Sequence, residues 1–237
     1  MIPKKLHMTY IDEDLPEKYK QNLKKWETLC PSWSIHYYSN QAVYDFFEEH
    51  FPEYFKELPK ISFGAQLADI FRYAVIYVYG GMYTDIDTVP LKSIPEHWLS
   101  YEAVIGHEYQ PLKFPNHLCL MWKYEDIFCQ WSFFSKAQNL FFKKVLDHAF
   151  LNLRKVNFQV QSVKESLCLT GPLLLTRLAK DYVKSANVLF LDADYFGAHP
   201  EVGFPLTDRS VVQHQFDGEQ GWIMNITLPH ISLNKGT

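Results

Sequence analysis

Gly64-Ala65-Gln66-Leu67-Ala68-Asp69-Ile70-Phe71-Arg72-Tyr73-Ala74-Val75-Ile76-Tyr77-Val78-Tyr79-Gly80-Gly81-Met82-Tyr83-Thr84-Asp85-Ile86-Asp87 is the stretch on which the reading of this chain turns. From Gly64 to Tyr79 it is apolar almost all round, through Leu67, Ala68, Ile70, Phe71, Ala74, Val75, Ile76 and Val78, which predicts a buried helix. Gly80-Gly81 stops that helix, because glycine readily takes the left-handed conformation that ends one. Met82 to Asp85 then reads as a short strand. In an extended segment residues two apart point to the same side, so Asp85 and Asp87 are expected to face one another's neighbourhood. Such carboxylates repel unless a cation lies between them and a further negative group. A divalent metal with oxygen ligands meets that need and bridges a carboxylate to substrate phosphates.

Spacing alone does not select this pair, because Asp192-Ala193-Asp194 has the same form and also follows a short apolar strand. Context separates the two. Asp69 and Arg72 lie three apart on the apolar helix and share a face. Charged groups on such a helix are paired or functional. As a structural element they form an ion pair; as a functional one, Asp69 accepts from sugar or ribose hydroxyls and Arg72 neutralises phosphate.

Outward from this block the chain alternates. Lys5 to Tyr10 and Ser34 to Tyr38 read as strands, Gln21 to Leu29 as a helix, and Asn40 as the N-cap of a helix over Gln41 to His50. Further strands are predicted at Glu102–Glu108, Leu118–Tyr124, Val188–Leu191 and Ser210–Phe216, with helices at Ala137–Leu153 and Leu173–Tyr182. The tail from Trp222 is expected to close over a site. This order predicts an α/β fold with a mainly parallel sheet flanked by helices. No linker divides the chain, so residues 1–237 are expected to form a single domain.

Apolar residues make up 47% of the 237, enough for a sizeable core, and the net charge of −4 argues against a nucleic-acid partner, which calls for a basic excess. Aromatic residues reach 16%; most are expected to pack, and a few to stack on a base or sugar. Cys30, Cys119, Cys129 and Cys168 form no C-x-x-C pair, which disfavours a zinc or redox site and fits thiols in a reducing compartment. No apolar run of spanning length and no signal peptide is visible. The expectation is a cytoplasmic protein, either free or peripheral at the inner face of a membrane.

Ala68-Asp69-Ile70-Phe71-Arg72, Tyr77 and Gly80-Gly81-Met82-Tyr83-Thr84-Asp85-Ile86-Asp87 resemble the sugar-binding DXD region of glycosyltransferase family 32. That family includes yeast-type initiating mannosyltransferases and bacterial capsular polysaccharide transferases, and it shares the pattern with clostridial toxin glucosyltransferase domains. Ile2-Pro3-Lys4-Lys5-Leu6-His7, Thr170-Gly171-Pro172, and His214 with Gly221-Trp222 resemble the family's opening strand, later turn and closing segment.

The resemblance implies a GT-A type, Rossmann-like sheet. It also implies a metal-dependent, retaining transfer of a hexose from a nucleotide sugar to a glycan or lipid-linked acceptor in surface polysaccharide synthesis. A UDP-sugar is favoured and GDP-mannose is possible. By the same resemblance Asp69, Arg72, Asp85 and Asp87 are the catalytic set. His7, Tyr10, Tyr83, Gly171, Pro172 and Trp222 join Asp69, Arg72 and Asp85 around the donor. Asp85, Asp87 and His214 hold Mn²⁺ or Mg²⁺, the imidazole favouring Mn²⁺. The chain departs from the pattern at His7-Met8-Thr9-Tyr10, where relatives often have His-Gln-x-Trp, and at Gly221, where a serine is usual. Two other readings compete. Asp85-Ile86-Asp87-Thr88-Val89 fits the nucleophile motif of haloacid-dehalogenase-type phosphatases. A non-catalytic nucleotide-sugar or glycan binding module would keep the same fold.

Overall fold

The computed structural model describes residues 1–109, 126–185, 187–196 and 206–217. The elements run β1 (Lys5–Thr9), α1 (Glu17–Leu29), β2 (Ser34–Tyr38), α2 (Asn40–His50), α3 (Pro52–Phe55), α4 (Gly64–Tyr79), β3 (Gly81–Thr84), β4 (Thr88–Pro90), β5 (Ala103–Tyr109) and β6 (Ile127–Ser135). Then follow α5 (Leu140–Lys155), α6 (Val163–Leu169), α7 (Pro172–Ser185), β7 (Val188–Leu191), α8 (Ala193–Phe196) and β8 (Val212–His214).

Six strands form one sheet in the order β2-β1-β3-β6-β5-β7. β1 pairs in parallel with both β2 and β3, and β5 pairs in parallel with β7. β6 runs antiparallel to its neighbours β3 and β5, the one reversal in a mostly parallel sheet. Its sequence, Ile-Phe-Cys-Gln-Trp-Ser-Phe-Phe-Ser, is buried at every position, and its side chains serve both faces. Phe128 and Phe133 join the core beneath α2 to α7, while Cys129, Trp131 and Phe134 join the core formed with α1 and α8. Cys30 and Cys129 are buried free thiols, and Cys168 is a half-buried one.

α4 occupies the predicted range and is buried along most of its length. It ends at Gly80 with φ of 64°, and Gly81 follows at 99°, both in the region glycine favours. The chain then reverses straight into β3. The early turns of α4, with Asp69 and Arg72, thereby come level with the end of β3, where Asp85 begins.

Several boundaries differ from the sequence expectation. α1 starts at Glu17, behind Pro16, rather than at Gln21. Ser39, not Asn40, caps α2, its hydroxyl accepting from the Ala42 N–H at 3.3 Å. β6 and α6 were not foreseen, and β4 and β8 form a separate two-stranded ladder. The strand expected at Leu118–Tyr124 lies outside the described residues, as do Trp222 and the tail beyond it. No helix among the described residues is long and apolar enough to cross a membrane.

Candidate active site

β3 ends at Thr84 because the next residues turn. The Asp85 N–H still donates to Trp131 O at 2.9 Å, but Thr88 N–H returns to Asp85 O at 3.1 Å, and Thr88 Oγ1 donates to the same oxygen at 2.6 Å. Thr84 Oγ1 lies 2.9 Å from Thr88 Oγ1 and 2.6 Å from Ser132 Oγ, which pins the turn to β6. Asp85-Ile86-Asp87 is therefore a tight turn rather than an extended strand end. The sequence argument from period-two alternation gave the right neighbourhood for the wrong backbone. Ile86 enters the core, and Asp85 and Asp87 converge by the turn.

The third member comes from far along the chain. β8 pairs with β4 so that His214 stands opposite Thr88. His214 Nε2 lies 3.2 Å from Asp87 Oδ1 and 3.8 Å from Asp85 Oδ2. Trp131 stacks on the imidazole at 4.7 Å between centroids, and Phe216 meets its edge at 4.1 Å. One ligand atom from each of Asp85, Asp87 and His214 lies within 4.8 Å of the other two. Two carboxylates and an imidazole at that spacing fit a first-row divalent ion such as Mn²⁺. Burial opposes a charge on His214, but Asp87 and Asp85 outweigh it and raise its pKa to about 9.

Arg72 flanks this triad. Its Nη2 lies 3.2 Å from Asp85 Oδ1 and 3.4 Å from Asp69 Oδ1, and its guanidinium sits 4.9 Å above the Tyr83 ring. Nη1 donates to Gln130 O at 3.0 Å. The Tyr83 hydroxyl donates to Asp85 Oδ1 at 2.8 Å. Burial pushes the Asp85 carboxyl up, but Arg72, His214 and Tyr83 together hold it below the usual range. Asp69 is buried and accepts from Thr170 Oγ1 at 2.8 Å. Burial raises its pKa to about 6, with Arg72 acting against the rise. Both readings of the Asp69–Arg72 pair are thus present in one geometry: the two residues form an ion pair, and that pair reaches the acidic turn.

The remaining expected residues distribute as follows. Tyr10 meets Tyr19 edge-on at 5.3 Å. Gly171 lets α6 and α7 approach closely, since a Cβ there would stand 2.8 Å from the Leu167 Cα, and Pro172 opens α7. His7 is buried, its Nε2 3.0 Å from Gly80 O and its Nδ1 3.1 Å from the Tyr38 hydroxyl, so both ring nitrogens have partners within the protein. The second Asp-x-Asp is clamped by Arg209. Nε and Nη2 bind the two Asp194 oxygens at 2.9 Å each, and Nη1 reaches Asp192 Oδ2 at 3.0 Å.

Sequence reasoning missed Gln130, Trp131, Lys18, Tyr19 and Asp217. Gln130 carried a usable signal, a lone amide inside an apolar run. Its Nε2 donates to the Tyr73 hydroxyl at 2.6 Å and to Thr170 O at 3.2 Å. The other four acquire their places only through the fold.

Residues 16–105 match the glycosyltransferase sugar-binding region containing the DXD motif. The mannosyl phosphorylinositol ceramide synthase SUR1 of Saccharomyces cerevisiae is 32% identical over 87 residues, a match spanning 37% of this chain and 23% of that protein. The UDP-bound glycosyltransferase domain from the YGT toxin superposes with a TM-score of 0.52 at 11% identity, covering 80% of this chain and 79% of that one. Mouse xyloside xylosyltransferase 1 in its apo form gives 0.52 at 9% identity, covering 90% and 97%. At such identities the likeness is one of fold, the GT-A arrangement of a mostly parallel sheet between helices. The matched region contains α4, the double glycine and the acidic turn, and over that region the chain is similar to the DXD-containing glycosyltransferase sugar-binding region.

Proposed function

We propose that this chain transfers a hexose from a nucleoside-diphosphate sugar to a hydroxyl of a glycan or lipid-linked acceptor, with a divalent metal ion at Asp85, Asp87 and His214. The observation that carries this reading is the convergence of those three side chains, from one turn and one distant strand, beside the buried Arg72.

The electrostatics support it. Asp69 and Asp85 face the Arg72 guanidinium and Asp87 faces the His214 imidazole; with that imidazole neutral, as a metal ligand must be, the three carboxylates exceed the guanidinium by two charges, the complement of a dication. Mn²⁺ or Mg²⁺ there would act as a Lewis acid toward the diphosphate. The residues of the chain do the rest. Trp131 and Phe216 fix the His214 ring, and Tyr83 and Arg72 fix the Asp85 carboxylate, so the set is preorganised. Arg72 adds a fixed positive charge beside the leaving group. The bond from the anomeric carbon to the β-phosphate oxygen breaks as negative charge grows on that oxygen. The acceptor hydroxyl oxygen takes its place, its proton passing to the departing phosphate oxygen, and retention of configuration is the outcome the family resemblance implies.

A UDP-sugar is the favoured donor, and GDP-mannose is the main competitor because the named yeast relative is a mannosyl transfer enzyme. A thermal-shift panel of UDP- and GDP-sugars with Mn²⁺, repeated in EDTA, tests the proposal. A donor present at about 100 times its Kd adds roughly 2.7 kcal/mol of apparent stability. The expected result is a shift with one donor class that EDTA removes, accompanied by slow release of the free sugar. A panel in which no nucleotide sugar shifts the protein, or in which EDTA changes nothing, contradicts the proposal.

A further inference from the structure

The acidic turn is touched from outside by a segment with its own anchor. Gln215 N–H donates to Asp87 O at 3.0 Å, and Asp217 N–H donates to Asp87 Oδ2 at 3.1 Å. The Asp217 carboxylate is in turn held by α1. Lys18 Nζ donates to its two oxygens at 2.8 and 2.6 Å, and the Tyr19 hydroxyl donates to Oδ2 at 3.2 Å. Lys18 and Asp217 are 199 residues apart in sequence and meet only through the fold. Tyr19 is also packed edge-on by Tyr10, and burial together with Asp217 and Asp87 pushes its phenol up, so it stays a donor.

We propose that Lys18, Tyr19 and Asp217 form a positioning clasp that holds the end of β8 against Asp87 and so sets the spacing of Asp87 and His214 for a divalent cation. The inference rests on the metal site proposed above. Asp87 Oδ1 faces His214 and Oδ2 takes the Asp217 N–H, so the rotation of this carboxylate is fixed from both sides. Asp217 itself carries a further carboxylate on the residue whose N–H meets Asp87. Left without Lys18 it would be repelled from the acidic turn, and its backbone N–H would leave with it. With Lys18 in place the carboxylate is neutralised on its outer side, and only the N–H faces the site. Partners that orient ligands in this way typically change metal affinity by about 10- to 100-fold when removed.

The opposing possibilities predict different signs. Lys18 is half-exposed, and exposed ion pairs contribute little to global stability. A purely structural bridge therefore leaves Mn²⁺ affinity unchanged. A purely electrostatic role for Lys18, a positive charge near a cation site, makes Lys18→Met bind Mn²⁺ more tightly. The clasp makes it bind more weakly.

The test is a Mn²⁺ titration of the whole chain, without donor, followed by calorimetry and by the electron paramagnetic resonance of free Mn²⁺. Lys18→Met and Asp217→Asn are each expected to lower affinity about tenfold, with the melting temperature of the metal-free protein nearly unchanged. Lys18→Arg should restore most of the affinity. The double variant Lys18→Met/Asp217→Asn should be no worse than either single one, because both break one contact. Tighter or unchanged binding in Lys18→Met, with wild type binding normally, overturns the clasp alone. A wild-type chain that binds no Mn²⁺ overturns the metal site on which it rests.

Discussion

Asp85-Ile86-Asp87 and Asp192-Ala193-Asp194 have the same form, and their difference lies in what stands opposite each. Arg209 gives Asp192 and Asp194 three hydrogen-bonded contacts, and Asp194 also accepts from Thr207 Oγ1 at 2.9 Å, so both carboxylates of that pair are held directly by a guanidinium of the protein. Asp85 shares one guanidinium with Asp69, and the side chain that stands between Asp85 and Asp87 is an imidazole, a group that can itself ligate a metal. A sequence shows spacing but not which cation a fold will bring, so the choice between the two motifs was legible only through the helix upstream of Asp85. The contrast yields a paired prediction. Asp87→Asn should remove Mn²⁺-dependent donor binding and reduce donor hydrolysis by at least about 10²-fold, the scale for losing one preorganised electrostatic group. Asp192→Asn should leave both within about twofold. Measured side by side, the reverse ranking would show that the wrong acidic pair has been assigned to the chemistry.

At the scale of elements, legibility followed pattern strength. α4 was read to the residue because an apolar run bounded by Gly80-Gly81 has few other solutions. β6 was not read at all. A strand buried on both faces shows no alternation, and nothing local reveals that it runs against its neighbours. β8 falls inside the strand expected at Ser210–Phe216, but β4 is only three residues long and nothing local pairs the two, so the ladder that sets His214 opposite Thr88 was not legible, although His214 itself was singled out. The double glycine has a sharper requirement than helix termination. A Cβ on Gly81, whose φ is 99°, would stand 2.3 Å from Lys5 O, a backbone atom of β1. Gly81→Ala therefore has to strain its own dihedral and part β1 from β3 at the start of the strand whose other end leads into Asp85. The expected loss is at least about 2 kcal/mol, seen as a lower urea midpoint with weaker Mn²⁺ binding. An unchanged midpoint would mean that the turn between α4 and β3 has slack that the packing does not show.

For the molecule as a whole, two buried groups whose pKa values burial shifts in opposite directions act against each other in the response of stability to acid. His7 joins β1 to β2 through Tyr38 and to the α4–β3 turn through Gly80, and burial lowers its pKa to about 3. An unfolded chain, with an ordinary histidine near 6.5, takes up that proton first. The contribution of neutral His7 is complete above about pH 6.5 and declines as pH falls toward 3, by about 1.4 kcal/mol per unit. Asp69 does the opposite. Burial raises its pKa to about 6, so the folded state takes up the proton before the unfolded one, and acidification from about 6 to 4 relieves the burial of its charge. Between about pH 4 and 6 the two slopes have opposite sign and similar size, and wild type should show little net change from this pair. Removing either partner exposes the other. Relative to wild type, His7→Gln should gain stability on acidification through this window, and Asp69→Asn should lose it, each by roughly 1 kcal/mol per pH unit. Urea unfolding at half-unit steps from pH 4 to 7 reads the slopes directly, whatever each substitution does to stability at neutral pH. Both variants running parallel to wild type would mean that burial moves the titration of neither group away from that of the unfolded chain.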